Sequence, residues 1–348
     1  MNFYKFSTNS TYLIAELSAN HNGSIERAEQ IVRAAAGSGA DAIKLQTYTA
    51  DTITLNCDNE YFRIKGTIWE GKNLYQLYQE ASMPWEWQPR LKALANDLGL
   101  DCFSTPFDAT AVDFLEKMDV PCHKVASFEL VDIPLLKKIA STGKPVIMST
   151  GMGTLAEIDE AVSTLRQNGT KELVLLKCTS AYPAPAEEAN LRTIPHLAQA
   201  FNCPAGLSDH TMGSACAIAA VALGAKVIEK HFTLSRADGG PDGSFSMEPD
   251  EFKQMVQDVR TVEKALGTVS YELTAKQKES KVFRRSLFVA EDIAAGEMFT
   301  EKNVRCVRPG YGLHTRYLQE ILGKRATVSY EKGTPCSWKM FSKHGESI

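Results

Sequence analysis

Short apolar runs recur along the first two thirds of the chain, and most are separated by one longer stretch with helical periodicity. The runs are Tyr12–Leu17, Ala42–Gln46, Cys102–Thr105, Lys124–Ala126, Val146–Ser149, Leu173–Cys178, Ala205–Ser208 and Val227–His231. Each is bounded by polar or turn-forming residues, which predicts eight strands. Ile25 to Ala36 reads as a helix. Thr154 with Glu157 spells a capping box in front of another, and Pro84 is placed to start a helix running to about Leu98. Eight strand–helix units in about 250 residues fit a closed (β/α)8 barrel better than an open doubly wound sheet. No G-x-G-x-x-G follows any of the runs, so a dinucleotide site is unsupported. Tyr48 to Met83 is a long, aromatic-rich insert that suits a lid or substrate loop.

The pattern changes after Gly267. Residues 268–282 are polar and read as a linker with a short helix. Residues 283–348 read as a compact module rich in β-structure and turns. Its β-like pieces are Ser286–Ala290, Val304–Val307 and Arg325–Ser329, punctuated at Ala295-Gly296, Pro309-Gly310 and Lys332-Gly333. The expected architecture is a barrel over residues 1–267, a linker, and this small second domain.

Composition narrows the chemistry. With 348 residues the chain has room for about two domains, and 44% apolar with 23% charged residues is ordinary for a globular protein. A net charge of −4 and the lack of any basic block argue against a nucleic-acid partner and favour small molecules. The eight cysteines form no C-x-x-C pair and read as small buried hydrophobes in a reducing compartment. The start has no apolar signal-like core, and the longest apolar stretch, Ala215 to Ile228, is broken by Gly224 and Lys226. The expectation is a soluble cytoplasmic protein with no membrane partner.

In such a barrel the working residues sit at the C-terminal ends of the strands. Here those ends are polar throughout: ELSANHNG, KLQT, STPF, KVASFE, STGMG, KCTSAYP, SDHT and EKHFT. Lys44 and Gln46, two apart, share one face of their strand. Lys44 and Lys124, with Thr105, Ser127, Ser149 and Ser208, offer charge and hydroxyl donors for a phosphate and a carboxylate. Taken singly, each lysine could equally pair with a barrel carboxylate such as Glu16 or Glu129. His210 and His231 end two consecutive strands, close enough to share one divalent ion, with Asp209, Glu229, Asp238 and Asp242 as nearby carboxylates. His21 is either a further ligand or a turn residue. The glycine-rich loop Arg236–Ser246 follows the last strand at the barrel mouth, where substrate contact is the better reading.

The ordered set NHNG, KLQT, STPF, STGMG, SDHT and EKHFT resembles the bacterial sialic acid synthase family. Val307-Arg308-Pro309-Gly310-Tyr311-Gly312 is similar to the antifreeze-protein-like (SAF) domain of those enzymes. The likeness spans Tyr12 to Phe341. It implies a TIM barrel plus SAF domain and condensation of phosphoenolpyruvate with a six-carbon aldose to a nine-carbon α-keto acid. It also implies Mn²⁺, or Mg²⁺ or Co²⁺ in its place, and a domain-swapped homodimer in which one chain's C-terminal module covers the other's barrel mouth. Gly66–Trp87 and the AELSANHN opening resemble the branch whose acceptor is 2,4-diacetamido-2,4,6-trideoxy-altrose.

By motif position, His210 and His231 correspond to the metal ligands. Lys44, Thr105, Lys124, Ser127, Ser149, Ser180, Tyr182 and Ser208 correspond to phosphoenolpyruvate contacts. Gln46, Glu129, Asp242 and Arg308 fall at sugar-side or catalytic positions, Arg308 reaching in from the partner. Glu129, Asp242, His231 and Tyr182 are the candidate catalytic groups. The chain has Asn22 where some members of the family carry an acid, which leaves the general base to Glu129 or Asp242. Two other readings of the residues stay open: a Schiff-base aldolase using Lys44 or Lys124, and a non-catalytic carbohydrate-binding protein.

Overall fold

The computed structural model describes residues 10–341. The chain divides into two compact units, residues 1–267 and 268–348. In the first, eight parallel strands close into one barrel in sequence order. They are β1 Tyr12–Glu16, β2 Ala42–Thr47, β3 Asp101–Pro106, β4 His123–Val125, β5 Val146–Ser149, β6 Leu173–Cys178, β7 Ala205–Asp209 and β8 Val227–His231. The ring is sealed where β8 pairs with β1, His231 opposite Glu16. Eight helices wrap it: α1 Ile25–Gly37, α2 Gln88–Asp97, α3 Ala109–Lys117, α4 Ile133–Ala140, α5 Leu155–Gln167, α6 Thr193–Phe201, α7 Ala215–Ala222 and α8 Pro249–Leu266. The expected barrel is therefore the observed one.

The strands are apolar on both faces because both faces are covered. Leu13, Ala15, Ile43, Leu45, Leu175, Leu207 and Ile228 point outward into a core shared with the helices. Tyr12, Ile14, Phe103, Ile147, Val174, Leu176 and Val227 fill the barrel itself. Gly206 makes room for that filling, since a Cβ there would collide with the Val227 carbonyl and Leu176. Continuing the inward alternation towards the C-terminal ends replaces apolar side chains by Glu16, Lys44, Thr105, Lys124, Ser149, Ser208 and Glu229, all buried. The polar strand ends are thus the top layer of the barrel interior.

Helix starts follow local chemistry. The Ser24 hydroxyl accepts from the Arg27 N–H to open α1, and Thr154 with Glu157 forms the expected capping box of α5. Pro84 does not start a helix: a single 3₁₀ turn at Trp85–Trp87 intervenes, and α2 begins at Gln88 with Pro89 in its first turn. The insert between β2 and β3 carries helices Ala50–Ile53 and Leu74–Ala81.

The second unit opens with a short helix at Ala275–Glu279 and a 3₁₀ turn at Ser280–Phe283. It then pairs β9, Ser286–Val289, with β10, Val304–Val307, antiparallel. Around them Leu287, Val289, Ile293, Phe299, Val304, Ile321, Met340 and Phe341 form a separate small core. Arg325–Ser329, expected as a third strand, contributes only isolated bridges, Met298 to Arg325 and Ala326 to Phe341. Among the described residues no helix is long and apolar enough to cross a membrane.

Candidate active site at the barrel mouth

The floor of the mouth is a charge cluster. Lys44 Nζ lies 2.8 Å from Glu16 and 3.5 Å from Glu229, and it donates to the Thr105 hydroxyl at 3.4 Å. Lys124 Nζ donates to Ser149 Oγ at 2.7 Å and to the Val125 carbonyl at 2.9 Å, with Glu229 at 3.9 Å. Ser208 Oγ donates to Glu229 at 3.1 Å. Burial works against the charge on Lys44, but Glu16 and Glu229 outweigh it and raise the pKa. Burial leads on Lys124 and lowers its pKa. Burial also leads on Glu16, pushing it towards the neutral acid in spite of Lys44. Glu229, although equally buried, is held ionised by Lys124, Lys44 and Ser208. Two lysines therefore share this floor with two buried carboxyls and the hydroxyls of Thr105, Ser149 and Ser208. Lys44 is paired with Glu16, the alternative that the sequence offered, and also donates to Thr105.

Further hydroxyls gather on the β4–β6 side. The Gly151 N–H donates to Ser127 Oγ at 3.1 Å. A Cβ at residue 151 would collide with the Ser127 and Ser180 hydroxyls, so this glycine lets the two converge.

Beside them, across the Cys178 thiol, stand the two histidines, ring centroids 5.3 Å apart. His210 Nδ1 donates to the Thr179 carbonyl at 2.9 Å, which fixes the tautomer and leaves Nε2 available. His231 Nδ1 is buried without any hydrogen-bond partner. Desolvation, reinforced by His210 and Lys44, holds the His231 pKa well below its usual value, so the ring is neutral. Among the described residues no group of three or more His, Cys, Asp or Glu side chains is arranged to hold an ion. A cation here would have two protein nitrogens and take its other ligands from water or substrate. An orphaned neutral imidazole beside an oriented one fits that donor set.

The thiol of Cys178 lies 3.9 Å from His210 Nδ1. Burial alone would raise its pKa, but the hydrogen bond and charge of His210 bring it down to about 7. Cys178 is buried, as its apolar run suggests, and lies beside His210. All eight cysteines are free.

Above this floor lies a cavity of about 350 Å³. Gln46, Glu129, Tyr182, His231 and Asp242 supply its polar lining, and Ile53, Trp69, Leu77, Tyr78, Ala81 and Phe107 supply apolar and aromatic lining. Most of the apolar lining is the insert, which acts as a roof. Trp69 Nε1 donates to the Pro241 carbonyl at 2.9 Å, joining the insert to the glycine-rich loop. Tyr182 packs against His210 with ring centroids 4.4 Å apart. Glu129 has one carboxylate oxygen buried without a partner, and desolvation raises its pKa to about 7. Asp242 accepts from the Ser18 hydroxyl and from the Ala19 N–H at 3.2 Å. Desolvation raises its pKa, with Ser18 pulling the other way.

Several nearby candidates are elsewhere. Asp209 faces outward, where it pairs with Lys230 at 2.9 Å. Asp238 pairs with Arg27 on the rim. His21 is a turn residue, its Nε2 near the Ala81 carbonyl at 3.3 Å and its Nδ1 accepting from the Gly23 N–H. Asn22 clamps the glycine-rich loop through the carbonyls of Asp238 and Gly239. Arg308 is an exposed residue of the second unit, just after β10. Three mouth residues, Ser18, Cys178 and Glu229, carry more of the site than their sequence context signals.

A barrel with a charged floor, a histidine pair and a roofed cavity has the design of an enzyme site for an anionic substrate and a larger polar one. A family model described as the NeuB family matches residues 31–271, and a SAF domain model matches residues 284–342. The chain belongs to the NeuB family. It is 46% identical over 322 residues to a pseudaminic acid synthase of Campylobacter jejuni, covering 92% of this chain and 94% of that protein. It is 45% identical over 326 residues to a pseudaminic acid synthase of Helicobacter pylori, covering 93% and 96%. The crystal structure of an N-acetylneuraminic acid synthetase from Leptospira borgpetersenii in complex with citrate superposes with a TM-score of 0.69 at 32% identity, covering 78% of this chain and 90% of that one.

Proposed function

We propose that this chain condenses phosphoenolpyruvate with 2,4-diacetamido-2,4,6-trideoxy-β-L-altropyranose and water to give pseudaminic acid and phosphate. The carrying observation is one mouth that holds both the Lys44–Lys124 floor and a cavity of about 350 Å³ lined by polar side chains and by apolar side chains of the insert. The apolar lining suits the methyl groups of two acetamides and a deoxygenated C6. The likeness to two pseudaminic acid synthases supports the same acceptor.

Lys44 and Lys124 bind the phosphate and carboxylate, and Thr105, Ser127, Ser149, Ser180 and Ser208 supply hydroxyl donors around them. This holds carbon 3 of phosphoenolpyruvate against the open-chain aldehyde, and the new bond forms between them. His210 and His231 would hold a divalent cation, Mn²⁺ in our reading, which supplies Lewis acidity at the aldehyde oxygen. Glu129, half protonated at neutrality, gives a proton to that oxygen as it becomes an alkoxide. Water adds at carbon 2 and loses its proton to Asp242. Phosphate then leaves with C–O cleavage, its charge taken up by the lysines. Tyr182 screens the histidines from bulk water.

We assign the working form to a homodimer. Phe128, Val131, Met152 and Met212 are exposed in the segments after β4, β5 and β7, and Leu155 at the start of α5, an apolar rim around the mouth. In this reading a second copy's C-terminal unit covers that rim and brings Arg308 to the acceptor. The eight free thiols support a reducing cytosolic setting.

The test is phosphoenolpyruvate and Mn²⁺ with a panel of amino-hexoses, scored by phosphate release and product mass. Turnover with the trideoxy altro sugar and a nine-carbon product is expected. Turnover with only N-acetylmannosamine or the legionaminic precursor would reassign the acceptor. Phosphate release with none would overturn the reading.

A further inference from the structure

Ser18 occupies backbone space that normally belongs to glycine. Its φ is +49°, in the left-handed region where a side chain is strained. The turn it begins, Ser18–His21, starts one residue after β1, with Leu17 between them. A glycine would sit there without penalty, yet the chain carries a serine that is only 3% exposed. Strain of this kind persists where the side chain has work to do.

The contacts show that work. The Ser18 hydroxyl donates to Asp242 Oδ2 and accepts from Gln46 Nε2 at 3.0 Å. Gln46 Nε2 also donates to Glu16 at 3.0 Å. One hydroxyl therefore links the end of β1, the end of β2 and the glycine-rich loop after β8. Ser18, Gln46 and Asp242 all line the cavity. With the hydroxyl removed, Asp242 would keep only the Ala19 N–H at 3.2 Å, and Gln46 would lose its tie to the loop.

We propose that Ser18 is a positioning residue for the acceptor side of the site, its hydroxyl holding Asp242 and Gln46 in the orientations that face the cavity. This rests on the condensation reading above. It adds that the glycine-like backbone at position 18 is tolerated for the sake of that hydroxyl.

Two variants separate hydroxyl from backbone. Ser18→Gly removes the hydroxyl and relieves the strain. Ser18→Ala removes the hydroxyl and keeps the strain. Phosphate release with the trideoxy altro sugar is expected to fall about 10- to 100-fold in both. The loss should appear in kcat and in KM for the sugar, with KM for phosphoenolpyruvate within about twofold of wild type. The midpoint of thermal unfolding should stay level or rise in Ser18→Gly and fall in Ser18→Ala. In an Asp242→Asn background the further loss from Ser18→Gly should shrink to about threefold or less, since the residue acts through Asp242. Wild-type kinetics in Ser18→Gly would overturn the inference, as would an undiminished loss in the Asp242→Asn background or equal damage to both KM values. No turnover by the wild-type enzyme with any acceptor would defeat the condensation reading itself, and this inference with it.

Discussion

Asp209 and Lys230 are register partners on β7 and β8, and their side chains meet at 2.9 Å on the outward face of the barrel, one residue before His210 and one before His231. Asp209 also accepts from the N–H and hydroxyl of Thr211, and Lys230 donates to the Thr211 carbonyl at 2.6 Å. The buried pair fixes the backbone from which the two imidazoles project. Replacing Lys230 by Met leaves Asp209 buried without its counter-ion, a cost of roughly 3–5 kcal/mol. Urea unfolding should show the loss. Titration calorimetry should show at least about tenfold weaker Mn²⁺ binding. Unchanged ion affinity would separate the pair from the histidines.

The histidine pair should be required for the ion. Excess chelator is expected to stop phosphate release, and added Mn²⁺ to restore it. His231→Ala should lower both bound metal and rate, the latter by about 100-fold or more. Full activity in chelator would remove the ion from the reaction, and an unchanged metal content and rate in His231→Ala would remove His231 from the ligand set.

Glu129 should leave its mark on the pH dependence of both stability and rate. Its folded pKa, raised by desolvation to about 7, lies above the ordinary carboxylate range. Between that range and about 7 the folded chain binds more protons at this site than the unfolded chain. Its contribution to stability therefore falls as pH rises through that window. Glu129→Gln should flatten the slope of stability against pH there. In kcat it should erase a limb near pH 7 and cost about 10²-fold or more. A wild-type pH profile in the variant would give the proton transfer to another group.

Lys124 is bonded to Ser149 and the Val125 carbonyl, with Glu229 at 3.9 Å, and is expected to act as a fixed cation. Lys124→Met should raise KM for phosphoenolpyruvate about tenfold or more. Borohydride treatment with pyruvate should leave the protein mass unchanged. A reduced adduct on Lys124 would favour a Schiff-base aldolase.

If Arg308 works in a partner's mouth, Arg308→Ala and His231→Ala chains should complement. Each alone is expected to be nearly inactive. A mixed preparation should recover up to about a quarter of wild-type activity, since random exchange makes half the dimers hybrid and each hybrid carries one intact site. Sedimentation should give a dimer mass. Lack of recovery in demonstrably mixed dimers would place Arg308 in its own chain's site or in none.

The barrel was legible because a parallel strand buried on both faces announces itself as a short apolar run, even when β4 has only three residues. The charged floor was legible because Lys44 and Lys124 interrupt such runs with side chains that have to face something. What escaped depends on three-dimensional convergence. Ser18 and Asp242 are 224 positions apart, and nothing near either shows that a positive φ brings them together. Glu229 reads as a rim acid until the register puts it opposite Ser208. Cys178 looks like its apolar neighbours until His210 is beside it. Arg325–Ser329 reads as a strand from composition, but has only bridge-length partners to pair with.

The roof bond from Trp69 to Pro241 has a consequence for how the enzyme matures. One half of the roof hangs from the second strand and the other from the eighth, so the halves are neighbours only after the last strand has docked on the first. A chain in which the eighth strand has not met the first therefore lacks both the completed floor, which needs Glu229, and the enclosed chamber above it.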